Sequence, residues 1–436
     1  MSTTFRNWAG NQVCLPSEIA APNSAAEVAA IVARAARDGV RVKAVGAGHS
    51  FTAAAMTDGI LMSLDGVAQV ESIDREQNRI TVGAGMRLKQ LNEVLDQNGL
   101  AMPNLGDIAY QSIAGAVATA THGTGATLGN LATTIVGMEI IDGSGQTILC
   151  DENERPDLLR VARVGIGALG IVTKVTLQCV PAFDLHAVET IEVLDDVLDA
   201  FDENWASNDH FEFFWMPGAR RCQVKRNNRT TEARRPQPRL SYVRDKIVAE
   251  NLAFGLVTKV GARFPSAAPR IAKLVDSGVS GRDLVDASHK IFASPRWVRF
   301  YEMEYGIPRE ALPEALRRVR DFVKTGSEPI FFPIEVRVSA ADDIPLSTAH
   351  GRESAWIAAH VHKGGSYETY FQGIEQIMND YDGRPHWGKL HFQNHETLRP
   401  RYGEWDSYQA VRNELDPAGR FANPYTDRVL GPTTKA

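Results

Sequence analysis

The sequence predicts an α+β protein of two domains, and three observations carry that expectation. Its 436 residues exceed what one hydrophobic core organises. Short apolar runs, amphipathic stretches and glycine-rich turns fill the first 180 residues. Composition then shifts after Pro181, where a polar, arginine-rich stretch precedes renewed helical and strand-like patterns.

Ser24-Ala25-Ala26-Glu27 forms a capping box that opens an alanine-rich helix ending near Gly39. Arg41 to Val45 reads as a short buried strand and leads into Gly46-Ala47-Gly48-His49-Ser50-Phe51. Strands are expected at 60–63, 69–73 and 79–82, and a helix over 88–97 stopped by Asn98-Gly99. Small residues dominate from Ser112 to Gly129, and strands follow at 134–141 and 171–178. Arg220 to Arg239 carries Arg221, Lys225, Arg226, Arg229, Arg234 and Arg235, with Pro236 and Pro238. A solvated loop is expected there, with docking of an acceptor protein as the competing reading. Helical periodicity resumes over 242–293, and strands are expected at 297–305 and 330–339. The second domain reads as a sheet with helices packed on one side.

Bulk properties exclude several classes. A net charge of −6 and a pI near 6.0 give no attraction to nucleic acid or anionic membranes. No run of about 18 apolar residues predicts a membrane span. The N-terminus MSTTFRNWAGNQVCLPSE has no apolar leader core. Cys14, Cys150, Cys179 and Cys222 form no CxxC pair, so free thiols and a cytoplasmic location are expected. Asn228-Arg229-Thr230 is a sequon by chance on that reading.

Gly46-x-Gly48 after a strand invites a dinucleotide fingerprint, but Phe51 occupies the third glycine position and no amphipathic helix follows. Such glycines can instead line a phosphate with backbone N–H groups. Ala118-Thr119-Ala120-Thr121-His122-Gly123-Thr124-Gly125 and Gly167-Ala168-Leu169-Gly170 offer the same device. Three such loops point to a long phosphate-bearing cofactor laid across them.

GAGHSF, ATATHGTG, GALGIVT and RPHWGK resemble the vanillyl-alcohol-oxidase type of FAD-linked enzymes. Within it the chain is similar to the aldonolactone and alditol oxidoreductases, among them bacterial L-gulono-1,4-lactone dehydrogenases. The likeness extends to NDHFEFF (208–214), FPIEVRVSAADD (332–343) and GRFANPYTDRVLG (419–431). It implies a PCMH-type FAD-binding domain over 1–180 and a substrate (cap) domain over 181–398. A C-terminal segment, 399–436, would return to the FAD domain.

The resemblance further implies FAD bonded covalently through its C8-methyl group to His49. It places cofactor contacts at Gly46, Ala47, Gly48, Ser50, Asp107, Ser112, Gly115, Thr119, Thr121, His122 and Ile171, and an oxygen gate at Gly106. Glu335 and Arg337, two apart on a strand-like run, share one face. Alone they read as an ion pair; within FPIEVR the resemblance makes them substrate-binding and catalytic. Lys389 would sit beside the flavin ring, and His360 is a candidate proton acceptor. The expected reaction is oxidation of a secondary alcohol on a sugar lactone, with an open-chain polyol as the alternative substrate. The hydride goes to the flavin, and oxygen or another redox acceptor then takes the electrons. A zinc enzyme is the competing class, with ligands from His360, His362 and His386 and, at further spacings, His391 and His395.

Overall fold

Ser24 accepts a hydrogen bond from the Glu27 amide at 3.2 Å, and Glu27 takes the Asn23 amide at 2.9 Å, so the first helix, Ala25–Asp38, begins where its cap predicts. The computed structural model describes residues 4–238, 281–293, 298–326 and 330–433. Strand Val42–Val45 follows and pairs in parallel with Ile60–Ser63, which also carries Glu18–Ala20. No helix intervenes between Gly46 and Ile60, which agrees with the failed dinucleotide fingerprint.

A second, antiparallel sheet places Thr147–Asp151, Ile135–Ile141, Ile171–Gln178, Arg79–Gly83 and Val70–Asp74 side by side. Ile171–Gln178 alternates buried and half-buried residues along its length, as a strand covered on one face does. Helix Leu88–Gln97 packs Leu88, Leu91 and Leu95 inward. These elements share one apolar cluster with the C-terminal helices Trp405–Leu415 and Pro424–Leu430, through residues such as Tyr408, Leu415, Tyr425 and Val429.

Eight further strands form one antiparallel sheet, from Arg282–Ala287 at one edge to Arg384–Pro385 at the other. Four of its strands carry two separate residue sets. On the back face Phe211, Phe213, Met303, Tyr305, Ile334, Val336, Ile357 and Ala359 pack against helices Leu312–Thr325 and Glu368–Asn379. The front face carries Glu212, Phe214, Glu302, Glu304, Glu335, Arg337 and His360, turned toward the N-terminal part. Period-two alternation produces both faces at once.

Three expectations need correction. The solvated loop expected over Arg220–Arg239 is only partly found: Arg221–Thr230 is an interior strand paired with both Asp184–Val193 and His210–Trp215, while 231–238 is largely exposed. Cys222 and Val224 are buried on one face, where Arg226 follows them and pairs with Glu192 at 2.6 Å, while Lys225 on the other face pairs with Glu212 at 3.0 Å. Counting charge without testing for period two hid the strand. The helical stretch expected over 242–293 lies outside the described residues from 242 to 280. Its described end is a strand, Arg282–Ala287, followed by a short helix, Ser288–Phe292. Expected strands at 297–305 and 330–339 begin later, as Phe300–Pro308 and Ile334–Ser339.

Among the described residues the chain is α+β, and no helix is long and apolar enough to cross a membrane. All four cysteines are free.

Candidate active site

A cavity of about 800 Å³, part of it open to solvent, lies between the front face of the large sheet and the loop at 106–111. Glu302, Glu304, Glu335, Arg337, His360, His386 and Lys389 supply its charge, and Phe214, Phe300 and Phe332 its apolar wall. Cross-strand register assembles this set. Glu335 stands between Phe214 and Ala358, and Glu302 stands opposite His360.

Arg337 is held by three carboxylates. Nη2 meets Asp107 at 2.7 Å and also pairs with Glu335, while Nε donates to Glu212 at 2.8 Å. Glu212 in turn takes Lys225 at 3.0 Å. Despite its ion pair, the buried Glu335 Oε1 receives no aligned hydrogen bond. Burial, with the neighbouring Asp107 and Glu212 charges, outweighs Arg337 and pushes the Glu335 carboxyl up to about 7.

A second cluster faces it. Lys389 pairs with Glu302 and lies 4.0 Å from Glu304. Burial opposes ionisation of Glu302, but Lys389 and His360 prevail and hold it at about 2. His360 Nδ1 is 2.9 Å from the Pro333 carbonyl, which can only accept, so the ring proton sits there. Its Nε2 is directed to the side of Glu302, at 3.5 Å. His122 stacks on Trp356 with ring centroids 3.7 Å apart and places Nε2 3.4 Å from Glu304. Burial drives His386 down to about 3, and its Nδ1 accepts the Gly388 amide at 3.0 Å.

Next to this polar cavity lies an apolar one of about 680 Å³. Gly46, Ser112 and Gly115 line it together with Gly165, Gly167, Leu169 and Gly170, so the first and third glycine loops converge. The chain from 111 to 122 runs between the two spaces. Gln111, Thr121 and His122 face the polar cavity, whereas Ser112, Ala114, Gly115, Val117 and Ala118 face the apolar one. Gly46 must lack a side chain, because a Cβ would stand 2.0 Å from Ser112 Oγ. The paired cavities, one lined by glycines and one by charged side chains, could together hold an elongated cofactor.

The other expected cofactor residues are placed differently. His49 lies outside both linings, and burial together with the Arg87 and Lys389 charges lowers it to about 4. Ser50 is turned to Thr52 at 2.9 Å and the Gly388 carbonyl at 3.3 Å. Thr119 bonds back to the Gly115 carbonyl at 3.2 Å. Ile171 is a core residue. Asp107 serves Arg337, and Gly106 lines the polar cavity. Ala47 and Gly48 belong to the loop carrying His49, where Gly48 adopts φ +67°.

The zinc trio is not assembled. Among the described residues, the groups with ligand atoms within 4.8 Å of one another are His122/Glu304/His386 and Asp107/Glu212/Glu335. His360 and His386 line the cavity, while His362 packs beside Gly365. Glu212, Lys225, Glu302 and Glu304 escaped the sequence reading. Their signal was alternation: His210, Glu212 and Phe214 share one face, as do Phe300, Glu302 and Glu304, each set interleaved with apolar residues.

Residues 175–429 match the D-arabinono-1,4-lactone oxidase family, and residues 16–151 match the FAD binding domain family. The chain is 46% identical over 435 residues to L-gulono-1,4-lactone dehydrogenase of Mycobacterium tuberculosis, covering 99% of this chain and 100% of the relative. It is 32% identical to alditol oxidase of a Streptomyces species, covering 99% and 100%. Cholesterol oxidase from B. sterolicum shares the fold, with a TM-score of 0.82 at 17% identity over 99% of this chain and 97% of that one. With both of its parts matched, the chain belongs to the D-arabinono-1,4-lactone oxidase family of FAD-linked oxidoreductases acting on CH–OH groups.

Proposed function

We propose that the protein oxidises the C2 hydroxyl of an aldonolactone, L-gulono-1,4-lactone or a close analogue, using FAD bonded covalently through His49. The observation that carries this reading is the buried Glu335–Arg337 pair set opposite Lys389 in a polar cavity beside the glycine-lined one. When bound, FAD supplies the hydride acceptor, its N5 atom.

The protein's own residues do the rest. Arg337 stays cationic, because three carboxylates surround it, and its fixed guanidinium orients the substrate oxygen. Lys389 adds a second cation on the facing side of the cavity, paired with Glu302. Glu335, near half-ionised at neutral pH with an oxygen free of aligned hydrogen bonds, can take the hydroxyl proton. His360 is the other candidate, with Nδ1 on the Pro333 carbonyl and Nε2 facing Glu302 at the cavity wall. Phe214, Phe300 and Phe332 narrow the cavity and displace water. The FAD-binding domain spans 1–180, the cap 181–398 and the returning segment 399–436. The enzyme works in the cytoplasm and passes its electrons to oxygen or another redox acceptor.

Anaerobic mixing with a panel of lactones and alditols tests the substrate. L-gulono-1,4-lactone should bleach the flavin faster than xylitol or sorbitol. Bleaching by alditols alone would move the assignment to the alditol oxidase reading, whose relative is also matched along its whole length.

A further inference from the structure

The N-terminal segment, which the reaction leaves unused, forms a hairpin over the loop that carries His49. Phe5–Arg6 pairs with Val13–Cys14, and the turn between them reaches both flanks of His49. The Trp8 amide donates to the Gly48 carbonyl at 2.8 Å. Asn7 Nδ2 donates to the Ser50 carbonyl at 3.0 Å. Asn11 and Gln12 donate to the Phe51 carbonyl at 2.9 and 3.1 Å. The Trp8 ring covers the His49 imidazole, with centroids 5.3 Å apart and planes tilted by 31°. Trp8 also meets Phe300 edge-on at 5.4 Å, which ties the hairpin to the cavity wall.

We propose that Trp8 is a positioning residue for flavin attachment, holding the His49 ring in the orientation from which its nitrogen bonds to the cofactor. The inference rests on His49 being the attachment point. Net attachment exchanges one hydrogen of the flavin 8-methyl group and the imidazole N–H hydrogen for a carbon–nitrogen bond. Two protons leave to water, and two electrons leave through the ring system to the oxygen or quinone-like acceptor that also reoxidises the enzyme. Burial and the two nearby cations keep the imidazole neutral, the form with a nucleophilic nitrogen. What attachment then requires is orientation, and the hairpin supplies it on both sides of the residue.

The test compares full-length wild type, Trp8→Ala, Trp8→Phe and His49→Ala, each produced as apoprotein in riboflavin-limited cells and incubated with FAD. The readout is flavin remaining with acid-precipitated protein as a function of time. Losing one aromatic contact should slow incorporation in Trp8→Ala roughly 2- to 10-fold, with Trp8→Phe close to wild type. In a His49→Ala background, Trp8→Ala should bind FAD non-covalently as tightly as His49→Ala alone. Equal incorporation rates in wild type and Trp8→Ala would overturn the role of Trp8 while leaving attachment intact. Weakened non-covalent binding in the double variant would also overturn it, by showing that Trp8 merely supports the fold. Wild type that releases all its FAD into the acid supernatant would instead remove the attachment reading, and this inference with it.

Discussion

Glu335 and Arg337 neighbour each other in space and sequence, yet their environments drive them apart. Arg337 is locked in its charged state, while burial leaves Glu335 titrating at about 7. A proton-accepting Glu335 works only when ionised, so flavin reduction should slow as pH falls below about 7. Glu335→Gln should abolish that acid limb; a limb that persists in stopped-flow profiles would transfer the role to His360. Arg337→Ala removes a preorganised cation and should slow flavin reduction about 100- to 1000-fold, a loss of about 2.7–4 kcal/mol. Wild-type reduction rates in that variant would refute the site assignment. Gly106 bears on the acceptor. A Cβ there would stand 3.0 Å from the His122 carbonyl, within the cavity wall. Gly106→Ala should therefore slow reoxidation by oxygen more than reduction by lactone, and equal oxygen rate constants would discount position 106 as the gate.

Among elements, the C-terminal helix Pro424–Leu430 shows how one cap can serve two ends of the chain. Asn423 accepts the Thr426 amide at 2.9 Å, and its amide nitrogen reaches the carbonyls of Ala53, Ala54 and Met56 at 2.9, 3.2 and 2.8 Å. Asn423→Ala loses the cap and three bonds to half-buried carbonyls, which should cost about 1–3 kcal/mol. A urea midpoint unchanged from wild type would show that water replaces these bonds. Local signals of this kind were legible in the sequence. Ser24 and Asn98-Gly99 marked helix ends, and runs such as 171–178 marked strands, because each depends only on near neighbours. Arg221–Thr230 was not legible, since Arg226 and Lys225 are matched by Glu192 and Glu212 on other strands. Glu335 and Arg337 could be found through their motif, whereas Glu212, Glu302 and Glu304 acquire meaning only when strands distant in sequence align.

At the scale of the molecule, the two halves are joined by more than the cavity. Gly125 donates to the Val338 carbonyl at 2.9 Å, Phe51 to Gly388 at 2.7 Å, and the Tyr425 hydroxyl to Trp387 at 2.9 Å. Ile344, Leu346 and Trp387 enter the apolar cluster of the N-terminal part. A seam this closely bonded should make unfolding a single cooperative event, although chains of this length often unfold in stages. Far-ultraviolet circular dichroism and flavin fluorescence should report one common midpoint. Two separated transitions would mean that the cap opens independently.

The two-sided strands also restrict how this enzyme can change. Because chemistry and core occupy alternate positions of Ile334–Ser339, parity matters more than composition. Deleting one residue would send Glu335 and Arg337 into the apolar layer and turn Ile334 and Val336 toward the substrate. Removing two would preserve both assignments. Length variation inside these strands should thus be tolerated only in even steps, while substitutions at the cavity positions Phe214, Phe300 and Phe332 can retune the substrate without disturbing the opposite face.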